Sequence, residues 1–271
     1  MNKLAVLIPV FNDQNGLELT LKALTTCSEK VDVWIVDDGS TNPVEVPRID
    51  GLVTFLIRIP NNRGIVEALN TGLAQILSTG YKYIARLDAG DIPLKSRLES
   101  QLHLLESNPK IGLVGVRTEF VTPQGELLYV WMPPHESRKL RRFMHMQNAF
   151  VHSSVMYTAT AISEVGGYRD KYPGAEDFDL FWRIMQKYDI AMIPKVLMRC
   201  ELNPKGLSLR KRRQQLSSIM ALRLKYFDPY IKESYLGIFR GLLSAILPIG
   251  FVNLLKHLFW RRKIEKLSEI T

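Results

Sequence analysis

Cysteine is nearly absent. Cys27 and Cys200 are the only two in 271 residues, and neither has a metal-ligand neighbour at useful spacing. That excludes a disulfide framework and makes a reduced, cytoplasmic setting the expectation. Long apolar runs are absent too. The longest uncharged one, Gly241 to Leu255, falls short of the roughly 20 residues a spanning helix needs and is broken by Pro248 and Gly250. The N-terminal stretch Met1 to Pro9 lacks a small-residue cleavage site, and Asn12-Asp13 interrupts the apolar run. It reads as a first buried strand and not as a signal peptide. No internal repeat and no low-complexity linker divides the chain.

Basic charge is in excess. The formal charge of +9 favours an anionic partner: nucleic acid, an acidic membrane surface or a phosphorylated substrate. Hydrophobic and charged contents of 46% and 23% are ordinary for a globular protein, so large-scale disorder is not expected.

The first half alternates. Strands are expected at Leu4–Pro9, Val31–Val36, Leu52–Ile59, Tyr83–Leu87 and Ile111–Arg117, with helices at Leu17–Thr26, Ile65–Leu77 and Leu94–Ser107. Such alternation implies a parallel sheet with helices on both faces. Beyond it, Thr118–Met132 reads as a hairpin around Thr122-Pro123-Gln124-Gly125. Arg138–Met146 and Phe178–Lys187 read as helices, Ser153–Tyr157 and Ala191–Arg199 as strands, and a helix runs from Arg210 to about Phe227.

Two acidic turns carry the chemistry. Asp37-Asp38-Gly39-Ser40 follows the buried run Val31–Val36, and Asp88-Ala89-Gly90-Asp91 follows Tyr83–Leu87. Carboxylates directly after buried strands are costly unless solvent or a ligand offsets them. In open α/β sheets, ligands bind beyond the carboxyl ends of the strands. One pocket holding a polar ligand and a divalent cation is the expectation.

Five segments occur in order: Ile8-Pro9-Val10-Phe11-Asn12, Val36-Asp37-Asp38-Gly39-Ser40, Asn61-Asn62-Arg63-Gly64, Leu87-Asp88-Ala89-Gly90-Asp91 and Glu176-Asp177-Phe178-Asp179-Leu180. Together they resemble family-2 glycosyltransferases of the GT-A fold, over roughly residues 1–200. Each segment alone is a weak signal, and the ordered set is a strong one. The resemblance implies an α/β nucleotide-sugar-binding sheet with helices on both faces, and transfer of a hexose or N-acetylhexosamine from a nucleotide-diphosphate sugar, with UDP expected, to a glycan acceptor. It implies inversion and a divalent metal, Mn²⁺ or Mg²⁺. The expected organisation is a transferase domain at 1–205, with a nucleotide-binding half at about 1–117 and an acceptor half at about 118–205. A basic and apolar helical region at 206–271 follows.

The resemblance also assigns roles. Pro9, Phe11, Asn12, Asp37, Asp38, Arg63, Gly64, Asp88 and Ala89 are implied for the donor. Asp38 would accept a base N–H, such as uracil offers, and its alternative is a solvated turn or a helix N-cap. Asp37 serves equally well as a structural residue. Arg63 suits phosphate or a stacked base, or is a surface arginine beside a turn. Asp88, Asp91 and His152 are the candidate metal ligands. Where the family often has an aspartate this chain has Gly90, which leaves Asp88 and Asp91 as the nearby carboxylates. A lone histidine is also readily structural, and Arg86 reads either as steadying the turn or as a plain ion pair. Asp177 is implied as the general base, with Glu176 orienting it or the acceptor. The alternative for both is acids favoured by a helix N-terminus. Gly166-Gly167-Tyr168 resembles the family's glycine pair beside the acceptor, where small bulk leaves room for a sugar.

The apolar C-terminal run, Trp260 and the basic residues Lys256, His257, Arg261, Arg262 and Lys263 fit a segment lying in an anionic membrane interface, or else a helical hairpin packed on the domain. The expectation is a peripheral protein on the inner face of the cytoplasmic membrane with a lipid-linked acceptor, in polysaccharide or lipopolysaccharide synthesis. The cluster Arg210–Arg213 reads as closing over a diphosphate, touching acidic lipid, or a solvated face. Two other readings are weaker. A nucleotidyltransferase would carry a glycine-rich basic loop after the first strand, where this chain has Pro9-Val10-Phe11-Asn12. A nucleic-acid-binding protein would show a recognition helix, zinc finger or stacking motif, and none is present, so no nucleic acid is expected as partner.

Overall fold

The computed structural model describes residues 2–202 and 212–246. Among them, nine strands form one sheet in the order β3-β2-β1-β4-β8-β6-β9-β5, with β7 paired to β6. β1 (Leu4–Val10) is buried along its whole length, as a central strand covered on both faces must be. Its Leu4, Val6, Ile8 and Val10 enter one core and its Ala5 and Leu7 the other. β2 (Asp32–Asp37) and β4 (Tyr83–Arg86) flank it in parallel, and β3 (Val53–Arg58) forms the outer edge beside β2.

Helices cover both faces. α1 (Gln14–Leu24) and α3 (Arg97–Ser107) bury Leu17, Leu21, Leu24, Leu98, Leu102 and Leu105 on one side. α2 (Ile65–Thr79), α4 (Ser137–Met146), α5 (Ala159–Val165) and α6 (Glu176–Lys187) pack on the other. The remaining strands are β5 (Ile92–Pro93), β6 (Ile111–Val121), β7 (Leu127–Trp131), β8 (Met156–Thr158) and β9 (Asp189–Glu201).

The expected parallel sheet is in fact mixed. β8 runs antiparallel to both β4 and β6, β5 antiparallel to β9, and β7 forms the expected hairpin with β6. α4 lies between β7 and β8, and a short 3-10 turn, His152–Ser154, feeds β8 directly. That turn takes the start of the strand expected from Ser153. α3 begins at Arg97, three residues later than its periodicity suggests, because Ile92–Pro93 pairs with β9 and Ser96 sits at φ 68°. α5 is an additional helix, capped by the Thr158 side chain and stopped by Gly166 in the left-handed region.

At the C-terminal end, α7 (Arg212–Lys225) buries Leu222 in the core, and α8 (Lys232–Ile246) packs against α4 and α7. Up to residue 246 the chain is therefore a helical pair docked on the domain. The rest of the expected interfacial run and its basic flank, and Arg210-Lys211 of the basic cluster, lie outside the described residues. No helix among the described residues is long and apolar enough to cross a membrane.

Candidate active site

The carboxyl ends of β2, β1 and β4 lie side by side, and the sequence motifs meet there. Pro9 is buried within β1, and Phe11 is exposed just beyond it. Asn12, at φ 53°, laces two loops: its amide donates to Ser40 Oγ at 2.9 Å, and its Oδ1 accepts from the Thr41 amide at 2.8 Å. Asp37 is 1% exposed and turns inward, accepting from the Ser40 amide and pairing with Arg58 at 3.4 Å. These contacts give it a structural role in the turn.

Asp38 holds the segment that starts α2. Its Oδ1 accepts the Arg63 amide at 2.8 Å, and its Oδ2 accepts the Gly64 amide at 2.9 Å and Asn62 Nδ2 at 3.0 Å. The N-cap amide of α2, at Gly64, and the Arg63 amide before it are thus satisfied from another element. One lone pair on Oδ1 remains for a further donor. Gly39, at φ 70°, makes this approach feasible, since a Cβ there would lie 2.4 Å from the backbone of Asn61 and Asn62. Arg63 is exposed and lines a cleft of about 620 Å³ with Arg58, Pro60 and Glu67.

The second acidic turn is clamped from both sides. Thr20 Oγ1 donates to the Asp91 carbonyl at 2.8 Å, and the Gly90 amide donates to the Gly16 carbonyl at 2.9 Å, fixing the turn to α1. From within the core, Arg97 is fully buried and donates to the carbonyls of Arg86 and Ser153 at 3.0 and 2.8 Å. Burial lowers its guanidinium to about 10, still charged at neutral pH.

Arg86, 2% exposed, pairs with Asp88, whose side chain is 45% exposed. Burial works against the Arg86 charge, but the Asp88 carboxylate outweighs it and holds the guanidinium firmly protonated. Arg86 Nε and Nη1 are buried with no hydrogen-bond partner. Asp91 turns inward; burial, then the Asp88 charge, pushes it up to about 7 against hydrogen bonds from Ser153 and Cys200.

Asp177 sits in the first turn of α6. Its Oδ2 accepts from Asn148 Nδ2 at 2.9 Å and its Oδ1 from the Phe178 amide at 2.7 Å. Burial, then the Glu176 charge, pushes Asp177 up to about 7, while Arg86 pulls the other way. Arg86 therefore lies within electrostatic reach of both the acidic turn and Asp177. A carboxylate poised near neutral pH and aimed by a neighbour can take a proton from a hydroxyl.

His152 Nε2 hydrogen-bonds the Tyr168 hydroxyl at 2.7 Å, which in turn meets the Tyr157 hydroxyl at 2.6 Å. Burial, with Arg86 nearby, holds the His152 pKa well below its ordinary value, so the ring is neutral. Asn70 on α2 brackets the Tyr168 backbone, donating to its carbonyl and accepting its amide. The pair Gly166-Gly167 serves the backbone: both have positive φ, and a Cβ at Gly167 would lie 2.8 Å from Asn70 Oδ1.

The donor set suits a divalent cation only in part. Asp88 offers a hard oxygen at the mouth of the site, whereas Asp91 points inward and His152 Nε2 is engaged by Tyr168. Among the described residues no three His, Cys, Asp or Glu side chains form a cage for a metal. A cation here fits as one held by Asp88 together with ligand and water oxygens.

Thr20, Arg97 and Asn148 hold the candidate site in place and lie outside the motifs. Arg97 carried a signal, as a charge on the apolar side of α3. Asn148 lay in a stretch without pattern.

Comparison with known proteins places this arrangement. The family model described as Glycosyl transferase family 2 matches residues 5–164. The amylovoran biosynthesis glycosyltransferase AmsE of Erwinia amylovora is 27% identical over 252 residues, covering 90% of this chain and 91% of that protein. The mannosyltransferase PcManGT of Pyrobaculum calidifontis, solved with GDP-Man and Mn²⁺, superposes with a TM-score of 0.63 at 17% identity, over 94% of this chain and 79% of that one. S. aureus TarS (residues 1–349) with UDP-GlcNAc gives a TM-score of 0.63 at 14% identity, over 89% and 72%.

Proposed function

The chain belongs to glycosyl transferase family 2, and from that premise we propose that it moves a hexose or N-acetylhexosamine from a UDP-sugar to a glycan acceptor, with inversion and with Asp177 as base. The observation that carries this reading is the convergence of the Asp88–Asp91 turn and Asp177 on Arg86, with Asp38 just beyond the carboxyl end of β2 in the same sheet. Similarity to AmsE supports polysaccharide synthesis as the setting.

In this reading the uracil N–H takes the free lone pair of Asp38 Oδ1, and the α2 N-terminus and Arg63 face the diphosphate. Asp177 accepts the proton of the acceptor hydroxyl as its oxygen attacks the anomeric carbon from the face opposite the departing nucleoside diphosphate. Asn148 fixes the carboxylate that accepts this proton, and Glu176 lifts its basicity. Asp88 would hold Mn²⁺ or Mg²⁺, which would supply Lewis-acid neutralisation of the leaving diphosphate. Arg86 orients Asp88 for that duty. A lipid-linked acceptor and a cytoplasmic site at an anionic membrane surface complete the proposal. The exposed apolar residues of α8 support that location.

Asp177→Asn tests it. Transfer is expected to fall at least about 10²-fold, while UDP-sugar affinity, read as thermal stabilisation with Mn²⁺, stays within a few-fold. In the unmodified enzyme the rate is expected to rise with pH to a plateau as Asp177, pushed up to about 7, ionises. Transfer at the ordinary rate by Asp177→Asn would remove Asp177 from the base role. Stabilisation by GDP- or dTDP-sugars and not by UDP-sugars would remove uracil from the Asp38 site.

A further inference from the structure

α8 is built inside out for a surface helix. Its small residues Ser234, Gly237 and Gly241 face the protein, and a Cβ at Gly237 would lie 2.4 Å from the His145 carbonyl. Its large apolar residues face away: Tyr235, Leu236, Phe239, Leu242 and Leu243 recur at helical spacing with exposures of 42–65%. An ordinary surface helix turns this stripe to the core, and a contiguous exposed stripe marks an interaction face.

The stripe continues into a cleft. Tyr235 packs edge-on against Phe227 and donates to the Pro229 carbonyl, and Tyr230, beside them, is 95% exposed. Behind these residues a cleft of about 760 Å³ opens between α4, α6 and the α7–α8 turn. Trp182, stacked flat on Tyr226 at 4.5 Å, forms one wall. Arg138, Arg141 and Arg142, one turn apart on α4, form another. Asp228 also lines the cleft, yet the three arginines leave positive charge in excess. Arg142 pairs with Glu233 at 2.9 Å, and Arg141 donates to the carbonyls of Met185 and Tyr188 with Asp189 no nearer than 3.9 Å. Arg138 is exposed and has no ion pair among the described residues.

Guanidinium groups beside an aromatic wall suit a phosphate that carries an apolar tail. We propose that this cleft binds the phosphate headgroup of an anionic membrane lipid while the α8 stripe lies in the bilayer interface. The inference rests on the reading of the C-terminal region as membrane-facing and assigns the residues that make the contact. A symmetric second copy would bury the stripe but bring one arginine cluster towards another, whereas an anionic surface answers both features. The cleft is also set relative to chemistry. Trp182 and Met185 lie five and eight residues beyond Asp177 on α6, about 8 and 12 Å along the axis at 1.5 Å per residue. A lipid seated there holds the base close to the membrane surface.

The test is co-sedimentation of the full chain with phosphatidylglycerol and with phosphatidylcholine vesicles. The unmodified protein is expected to bind the first and largely ignore the second. Arg138→Glu with Arg142→Gln is expected to weaken phosphatidylglycerol binding by about 10-fold or more, at roughly 1 kcal/mol per basic residue at the surface. Arg138→Glu alone, on an exposed side chain, should weaken it in the same direction if the double variant unfolds. Lys22→Glu with Lys30→Gln makes the same charge change at and beyond α1, on the opposite face of the sheet, and should leave binding within a few-fold.

Unchanged binding by the α4 variants, or equal loss in the α1 control, overturns the cleft assignment and leaves the membrane reading standing. Failure of the unmodified protein to bind any vesicle overturns both. If inorganic phosphate then stabilises it through these arginines, the ligand is a free anion. If instead it dimerises as its concentration rises, the stripe serves a second copy.

Discussion

Asp177 shows how much one side chain owes to its neighbours. Its two oxygens are held by an amide of its own helix and by Asn148, which stands 29 residues earlier in sequence. Removing Asn148 takes a donor from the charged carboxylate, so the pKa moves further up. Asn148→Ala is expected to shift the acid limb of the pH–rate profile to higher pH and to lower the rate at pH 7 several-fold, with donor affinity unchanged. A profile that keeps its midpoint would reduce Asn148 to a packing residue. Gly90 is informative for the opposite reason. It lies at φ 90°, and a Cβ there meets nothing closer than 4.0 Å, where Asp13 Oδ2 and the Gly16 Cα lie. Gly90→Asp therefore fits, with about 1–3 kcal/mol of backbone strain, and sets a new carboxylate beside those of Asp13 and Asp88. The variant should melt lower than the parent in EDTA and gain more from Mn²⁺ in the same scan. An equal gain in both proteins would mean that position 90 does not face the cation.

Elements that bury continuous apolar runs were legible, because their period is set by the core they enter. β1, β2 and α2 lie within two residues of their expected bounds. The motifs were legible as strand ends for the same reason: a carboxylate such as Asp38 or Asp88 after a buried run marks where the strand leaves the core. The mixed character of the sheet was not. β8 is three residues long, too short for a periodic trace, and its antiparallel pairing with β4 and β6 is a tertiary choice. The glycine pair has a backbone duty that the sequence did not show: Gly166 ends α5 and Gly167 docks on Asn70. α8 has helical periodicity, but only contact with α4 tells that its small side is the inner one.

For the molecule as a whole, the two raised carboxyls give stability a pH dependence of defined sign. Asp91 and Asp177 both titrate near 7 when folded, against about 3.9 in an unfolded chain. Between those values the folded state binds more protons, so stability falls as pH rises from about 4 to about 7 and levels off above. Melting temperature measured across that range in EDTA should follow this course, and Asp177→Asn should flatten part of it. A flat parent profile would mean that both carboxyls ionise freely in the fold. Strand order also bears on the nascent chain. β4 is made early, but the strand that covers its outer edge, β8, is encoded about 70 residues later. At 5–20 residues per second that edge waits about 4–14 s on the ribosome. β6 likewise waits for β9. The N-terminal part of the sheet cannot close before residues 156–158 are synthesised. Slower growth at low temperature or trigger-type chaperones that shield open strand edges should therefore govern how much of this enzyme reaches its native state in a cell.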